Sequence, residues 1–171
     1  MKEAEIFTAV MDTPLGKIQA AARENAVCGL WFMGQKYFPS DTTGWINKAD
    51  YPVFVSLKVW LKNYFAGKNP EINFPLLPMG TEFQQSVWSL LKKIPYGKTS
   101  SYGAIAAKLV SSGKKASAQA VGGAVGRNLI SVLIPCHRVL GADGSLTGYA
   151  GGIEKKRALL ELENKGFKAL C

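Results

Sequence analysis

Residues 101–126 read SYGAIAAKLVSSGKKASAQAVGGAVG and decide the fold of the second half of the chain. The spacing of apolar residues predicts a short helix from about Ser101 to Leu109 and a second helix over Ala116–Gly126, joined by a polar turn over Ser111–Lys115. Two short helices with a tight turn between them are typical of a helix-turn-helix. The small side chains of the second helix allow close approach to another surface, either a nucleic acid or a neighbouring helix, and the segment alone leaves both interpretations open.

The residues before this segment predict a further helix. Thr81 is followed three positions later by Gln84, which is the pattern of a capping box in which each side chain hydrogen-bonds the backbone of the other residue. An apolar stripe then runs from Phe83 to Ile94 at helical spacing, and Pro95 ends it.

The residues after the segment predict a wing and a final helix. Gly141–Gly144 has the composition of a hairpin turn, which would give a small β wing. An amphipathic pattern predicts a helix over Ile153–Lys165 that is capped by Gly166. Together with the helix-turn-helix, these elements describe a mostly helical domain.

The first half of the chain predicts a small antiparallel sheet covered by one helix. Alternating polar and apolar residues predict three strands: Glu5–Met11, Lys17–Arg23 and Ala26–Met33. A turn over Thr13–Gly16 joins the first two strands. Apolar residues at helical spacing then predict a helix with Asp50 as its N-cap before Pro52 and with Gly67 as its end.

Three prolines between Asn69 and Gly80 predict an extended linker, which places a domain boundary near Met79. Residues 1–79 would form an N-terminal α/β domain that ends in this linker. Residues 80–171 would form the helical domain that carries the helix-turn-helix and the reactive cysteine described below. Because a small sheet domain with one helix precedes a mostly helical domain, the predicted fold class is α+β.

The formal charge of +9 is unevenly distributed along the chain. Residues 81–171 hold 13 Lys+Arg against 5 Asp+Glu, whereas residues 1–80 hold 8 against 7. A basic half is typical of proteins that bind a polyanion, although a solvated basic face gives the same count. No segment has the length and apolarity to cross a bilayer, and residues 1–10 lack the pattern of a signal peptide. We therefore expect a soluble protein without membrane contact, in the cytoplasm or, in a compartmented cell, in the nucleus.

The motif that carries chemistry is NLISVLIPCHRV at residues 128–139. Its apolar run predicts a buried strand that delivers Cys136 at its end, where Pro135 keeps the preceding residue extended. A thiol attacks carbon only as the thiolate, so its proton needs an acceptor. His137 is the sole imidazole of the protein and the candidate base, and Arg138 beside it would also favour the anion.

The sequence leaves two alternatives for the path of the thiol proton. Adjacent residues on a strand point to opposite faces, so Cys136 and His137 would meet directly only if the chain turns there. Otherwise a water molecule relays the proton, which is the alternative that we favour. The imidazole also needs an orienting acceptor, for which Glu161 and Glu163 on the last helix are the acidic candidates.

The cysteine and histidine counts limit other chemistry. Three cysteines do not form a disulfide framework, and reducing surroundings would keep them as thiols. We expect Cys28 in the core of the sheet, and Cys171 ends the chain. With one histidine, the usual Cys/His zinc site has no ligand set, so we expect no metal and no cofactor. A buried structural cysteine beside a surface histidine is the alternative to a reactive Cys136.

Taken together, these motifs resemble the O6-alkylguanine-DNA alkyltransferases, also called methylated-DNA–protein-cysteine methyltransferases. The resemblance is carried by Phe83–Trp88, Ile94–Gly97, Ser101–Gly103, Ala120–Ala124, Asn128, Pro135–Val139 and Gly148–Gly152. It covers residues 81–165 strongly and the N-terminal half weakly, through Thr13–Gly16 and the strands after it. The resemblance implies a ribonuclease-H-like N-terminal domain followed by a winged helix-turn-helix domain.

The resemblance also implies a role for each matching residue. Cys136 would accept the alkyl group of O6-alkylguanine, with O4-alkylthymine as a second candidate substrate, in an irreversible transfer that each molecule performs once. His137 would take the thiol proton through water, Glu163 would orient the imidazole, and Asn128 would brace the turn around the site. Tyr102 would donate a hydrogen bond to guanine N3 as the base leaves.

The partner that the resemblance implies is double-stranded DNA, bound through the minor groove by a monomer. The thiol reaches O6 only if the base is flipped out of the helix. The backbone carbonyls of Val139 and Cys136 would then bind the guanine amino group, and Tyr149 and Ala150 would line the pocket.

The second helix would lie in the groove, with Ala118 and Gln119 against the DNA and Lys114, Lys115 and Arg127 as candidate phosphate contacts. Gln119 departs from the family, in which this position commonly holds an arginine that fills the vacated stack. An amide has no charge and stacks less well than a guanidinium, so we expect weaker retention of the flipped base.

Two rival functions use the same residues. A binding module of the alkyltransferase-like type would recognise damaged bases without accepting the alkyl group, but such proteins lack the cysteine that this chain has at Cys136. A cysteine hydrolase or a redox thiol would use Cys136 and His137 on another substrate. Turnover beyond one equivalent would indicate a hydrolase or a redox enzyme, because a single-use acceptor reacts once.

Overall fold

The computed structural model describes residues 3–167 and divides into two units. One unit comprises the residues up to Met79 together with Leu129–Ser131, and the other comprises Gly80–Asn128 and the residues from Val132 onward. The elements are β1 (Phe7–Thr13), β2 (Gly16–Arg23), β3 (Ala26–Phe32), β4 (Ile46–Asn47), α1 (Pro52–Phe65), α2 (Glu82–Leu91), β5 (Ser100–Ser101), α3 (Tyr102–Ser111), α4 (Ala118–Gly126), a 3-10 turn (Cys136–Arg138), β6 (Val139–Leu140) and α5 (Ile153–Glu163). This is the α+β class that the sequence predicts.

Four strands form the sheet of the first unit, in the order β3-β2-β1-β4. β1 and β2 are antiparallel and meet at Thr13 and Gly16, which confirms the predicted turn. Gly16 has a φ of +109°, a conformation that a residue with a side chain rarely adopts. α1 packs against β1, β2 and β3, so the core of this unit lies between the helix and the sheet.

The start of α1 corrects the sequence prediction. Tyr51, not Asp50, is the N-cap residue, and its side chain makes no capping hydrogen bond. Instead, the Val53 N–H donates to Asn25 Oδ1 at 3.0 Å. The turn between β2 and β3 therefore supplies the acceptor that a helix start needs, which a local sequence pattern does not reveal.

The proline-rich segment after α1 is extended, as predicted, but part of it pairs with β3. The Val27 N–H donates to Pro75 O at 3.0 Å, and the Leu77 N–H donates to Val27 O at 2.7 Å. The segment is therefore held to the first unit before the chain enters α2.

Helices α2, α3 and α4 pack against one another in the second unit. The capping box of Thr81 and Gln84 is confirmed at the start of α2. α3 and α4 begin after Ser101 and Ser117, whose hydroxyls accept hydrogen bonds from backbone N–H groups three residues later. The two helices and the turn between them form the predicted helix-turn-helix.

Part of α4 packs against the neighbouring helices α2 and α3, as one of the two interpretations of its small residues predicts. Its buried residues are Val121, Ala124 and Val125. A Cβ added to Gly122 would lie 3.7 Å from the ring of Tyr102 in α3, which is ordinary van der Waals contact, so the packing does not require glycine at this position. Ala118 and Gln119 are exposed in the first turn, where α4 presents a slim surface to solvent.

The predicted strand before Cys136 is wrong. Within Leu129–Ser131, Ile130 forms an isolated β-bridge with Leu30 in place of the predicted strand. The residues that follow form a turn and are not extended. Val132 has a φ of +69°, which interrupts any strand and is unusual for a β-branched residue. Asn128 Nδ2 donates to Ile134 O at 2.7 Å and closes the bend. The apolar run is buried as expected, but tertiary contacts fix its path.

The predicted wing is partly correct. The turn forms, because the Gly141 N–H donates to Ser145 O at 3.0 Å. However, β6 before it pairs in parallel with β5 rather than with a strand after the turn. The final helix ends at Glu163 with Asn164 as its C-cap, so the predicted cap at Gly166 is wrong. Among the helices within residues 3–167, none has the length and apolarity to span a membrane.

Candidate functional site

Cys136 is the first residue of the 3-10 turn and is 5% exposed. Burial raises the pKa of its thiol, although a hydrogen bond with the Asn128 side chain and the charge of Lys156 act in the opposite direction. The resting side chain is therefore a protonated thiol near neutral pH. Asn128 thus contacts both the thiol and, through Ile134 O, the backbone that positions it.

His137 is fully buried, and its Nε2 lies 2.8 Å from Glu163 Oε1. The structure thereby decides between the two acidic candidates, because Glu163 is buried at the end of α5 while Glu161 is exposed. Burial lowers the pKa of His137 more than the carboxylate raises it, which favours a neutral imidazole.

The thiol and the imidazole are adjacent in a turn, not on a strand. Even so, Nδ1 of His137 is buried without a hydrogen-bond partner in residues 3–167. Cys136 and His137 therefore do not form a direct hydrogen bond through this atom. This geometry is compatible with proton transfer through a bridging water.

Arg138 has a different contact from the expected one. Its guanidinium donates to Glu163, with Nε 2.9 Å from Oε2 and Nη2 2.7 Å from Oε1, instead of approaching the thiol. Burial alone would raise the pKa of Glu163, but the hydrogen bonds from His137 and Arg138 lower it to about 2. The carboxylate therefore stays ionised although it is buried.

Lys156 is the residue of this site that the sequence interpretation missed. The side chain is fully buried, and its Nζ donates to Val139 O at 2.6 Å and to Thr147 O at 2.8 Å. Burial lowers the pKa of Lys156 to about 8. Its charge lowers the pKa of Cys136, which is the effect expected of Arg138. The signal was present, because Lys156 shares the buried face of α5 with Leu159, Leu160 and Glu163 at helical spacing.

The other residues expected around the site have the following positions. The Tyr102 hydroxyl donates to Thr147 O at 3.1 Å, and burial raises the pKa of this phenol. Tyr149 and Ala150 are half-buried in the loop before α5. Val139 O accepts a hydrogen bond from Lys156 Nζ.

The five residues expected at a nucleic acid lie around the helix-turn-helix: Lys114, Lys115, Ala118, Gln119 and Arg127. Lys114 Nζ lies 3.5 Å from Glu82 Oε1 in a solvent-accessible ion pair, which salt and a competing phosphate would weaken. The other four residues are exposed.

The remaining cysteines are remote from this chemistry or lie outside the description. Cys28 is half-buried in β3, not fully in the core as expected, and burial raises the pKa of its thiol. Cys171 lies outside the described residues. Within residues 3–167, no group of three His, Cys, Asp or Glu side chains is arranged to hold a metal ion.

Two family models match the chain. Residues 6–78 match the ribonuclease-like domain of 6-O-methylguanine DNA methyltransferase. Residues 82–165 match the DNA binding domain of 6-O-methylguanine DNA methyltransferase. The first description confirms the ribonuclease-like fold expected of the N-terminal domain.

Individual proteins give the same result. A methylated-DNA–protein-cysteine methyltransferase of Mycobacterium tuberculosis is 46% identical over 153 residues, which are 90% of this chain and 89% of the relative. A protein of the same name from Methanosarcina acetivorans is 40% identical over 158 residues, or 92% and 98% of the two chains. The crystal structure of Mycobacterium tuberculosis OGT in complex with DNA matches with a TM-score of 0.84 at 42% identity, covering 93% of both chains.

Lys156 gives a pH-dependent prediction. With a pKa of about 8 in the folded protein, below the ordinary value of 10.5, it releases its proton from the folded protein before the unfolded chain does. The unfolded chain then binds more protons, so the free energy of unfolding rises with pH above about 8, by at most roughly 1.4 kcal/mol per pH unit from this group. In urea denaturation, we expect the stability of the wild type relative to Lys156→Met to increase as the pH rises from about 8 toward 10.

Lys108→Met removes an exposed lysine from α3 and serves as the matched control. We expect no comparable pH-dependent difference for this variant. If the difference in the free energy of unfolding between the wild type and Lys156→Met stays constant or shrinks across the same pH range, the lowered pKa of Lys156 is contradicted.

Proposed function

Because the chain belongs to the methylated-DNA–protein-cysteine methyltransferase family, we propose that it repairs DNA by moving the alkyl group of O6-alkylguanine onto Cys136. The observation that carries this proposal is a buried thiol beside a neutral imidazole that an ionised carboxylate orients. O4-alkylthymine is a second candidate substrate, since it presents the same kind of alkyl–oxygen bond.

The proposed step is a displacement at saturated carbon. A bond forms between Cys136 Sγ and the alkyl carbon, the bond between that carbon and O6 breaks, and its electron pair leaves with the guanine. The thiol proton passes through water to His137 Nδ1. The product is a thioether, which water does not hydrolyse, so each molecule reacts once.

The surrounding residues lower the barrier to this step electrostatically. A thiolate forming at Cys136 has the ammonium of Lys156 as its nearby cation, in a buried site where charges interact strongly. Glu163 stabilises the imidazolium that forms at His137. Tyr102 would exchange its hydrogen bond to Thr147 O for one to guanine N3, which disperses charge on the leaving base.

The damaged base reaches this site only after it leaves the double helix, at a cost of about a few kcal/mol. We propose that the exposed side of α4 enters the minor groove, with Ala118 and Gln119 nearest the base pairs, and that Lys114, Lys115 and Arg127 contact phosphates. Val139 O and Cys136 O would bind the guanine amino group, and Tyr149 and Ala150 would enclose the base.

This proposal divides the work between the two halves of the chain. Residues 80–171 would bind DNA and accept the alkyl group, and residues 1–79 would form a scaffold domain. We propose that the protein acts as a monomer, in the cytoplasm or in a nucleus, and without a cofactor, because the thiol itself is the acceptor.

Single-use transfer is tested directly by mass spectrometry. After incubation with excess duplex DNA that contains O6-methylguanine, we expect one methyl group on Cys136 and none on Cys136→Ser, because Cys136 is the thiol beside the imidazole of His137. Cys28→Ser is the matched control and should be methylated like the wild type. Methylation beyond one equivalent, product guanine in excess of protein, or methylation of Cys136→Ser would reject the proposal.

Gln119 provides a second prediction. Gln119→Arg adds a planar cation that can stack in the vacated position, worth about 1 kcal/mol by the strength of such contacts. We therefore expect transfer from duplex DNA to be about fivefold faster while the reaction with free O6-benzylguanine is unchanged, both measured by single-turnover kinetics.

Gln119→Lys separates charge from stacking, since an ammonium adds the charge without the planar fork. We expect it to accelerate the duplex reaction less than Gln119→Arg. Equal duplex rates for the wild type and Gln119→Arg would show that Gln119 does not limit retention of the flipped base.

A further inference from the structure

Arg138 lies behind His137 and does not contact the thiol, yet its contacts bear on the proton route. We propose that Arg138 is a positioning residue for alkyl transfer: by binding Glu163, it keeps His137 neutral and turns the acceptor nitrogen of the imidazole away from the carboxylate. This inference rests on the proposed function, because Arg138 would act on the same reaction through Glu163 and His137.

The guanidinium is held on three sides. Nε and Nη2 bind the two oxygens of Glu163, and Nη1 donates to Ile94 O at 2.7 Å. The guanidinium carbon also lies 5.8 Å from the centre of the Tyr96 ring. The Arg138 side chain is 12% exposed and the Glu163 side chain 1%, so water contributes little to this pair.

Both oxygens of the Glu163 carboxylate already face N–H groups. Oε1 accepts from Arg138 Nη2 and faces His137 Nε2, while Oε2 accepts from Arg138 Nε and from the Gly97 N–H at 3.4 Å. An ionised carboxylate only accepts hydrogen bonds, so Nε2 must carry the imidazole proton. The neutral imidazole therefore keeps its lone pair on Nδ1, the nitrogen that has no hydrogen-bond partner among residues 3–167.

The charges of the group are balanced only when Arg138 is present. Arg138, Glu163 and neutral His137 sum to zero, whereas Glu163 with neutral His137 would leave a buried negative charge. A buried unpaired carboxylate binds a proton, either itself or through its hydrogen-bonded neighbour. Without Arg138, the imidazole would therefore be protonated at higher pH than in the wild type, and a protonated imidazole cannot accept the thiol proton.

The other charged groups around His137 do not replace Arg138. The 3-10 turn packs against α5 and α2. α5 contributes Glu163 and Lys156, and Lys156 is already engaged by carbonyls on the side of the thiol. The single titratable residue of α2 is Glu82, which is exposed at its start. Cys136 and Tyr96 are further titratable groups beside this network.

The test measures how the rate of benzyl transfer from free O6-benzylguanine to Cys136 depends on pH. In Arg138→Gln, the acid limb of the profile should move up by about one pH unit or more, because protonated His137 persists to higher pH. At a pH on that limb, a one-unit rise means an approximately tenfold slower reaction, and the rate should recover as the pH increases. Arg157→Gln removes another arginine, whose ion pair lies on the surface of α5, and should leave the limb in place.

Arg138→Lys keeps the charge but lacks the two-pronged fork, so we expect a slower reaction with the acid limb close to that of the wild type. Circular dichroism verifies folding of each variant, and Arg138→Met replaces Arg138→Gln if the latter does not fold. An acid limb in the uncharged variant that coincides with the wild-type limb would overturn the role of Arg138, whatever the rate. If the wild type does not react with free O6-benzylguanine, the same pH profile is measured with duplex DNA that contains O6-methylguanine, and failure of that reaction would instead reject the proposed function.

Discussion

The site is organised around one buried negative charge, the carboxylate of Glu163. It is stable inside the protein because it accepts hydrogen bonds from N–H groups of Arg138, His137 and Gly97. These contacts fix the end of α5 against the 3-10 turn, and through the turn they fix the position of Cys136. A buried charge is stable only when it is paired and hydrogen-bonded in this way, so the geometry permits few substitutions.

α5 contributes a second charge of the opposite sign two turns earlier. Lys156 connects β6 with the loop around Thr147 and acts on the thiol through space. Glu163 and Lys156 thus place opposite charges at the two groups that change charge during the proposed reaction. The thiol remains protonated at rest because burial raises its pKa. In the proposed reaction, formation of the thiolate would be coupled to protonation of His137.

The sequence allowed prediction of the residues near the site but not of all their contacts. Cys136, His137 and Glu163 follow from chemistry and from the motif, and the helix-turn-helix follows from spacing and capping residues. The strand before Cys136 was wrong because Val132 and the side chain of Asn128 bend an apolar run that local propensity reads as extended. Arg138 and Lys156 were misassigned or missed because adjacency in sequence does not show which buried partner a long side chain reaches. The acceptor Asn25 at the start of α1 was hidden for the same reason.

In the proposed site, the Arg138–Glu163 pair presents a neutral His137 to the thiol with the proton on Nε2. The protein has a single histidine, so the imidazole nitrogens of uniformly ¹⁵N-labelled protein give one assignable pair of signals. We expect a protonated Nε2 and an unprotonated Nδ1 in the unreacted wild type at pH 7. An imidazolium at pH 7, or a neutral ring with its proton on Nδ1, would contradict this expectation.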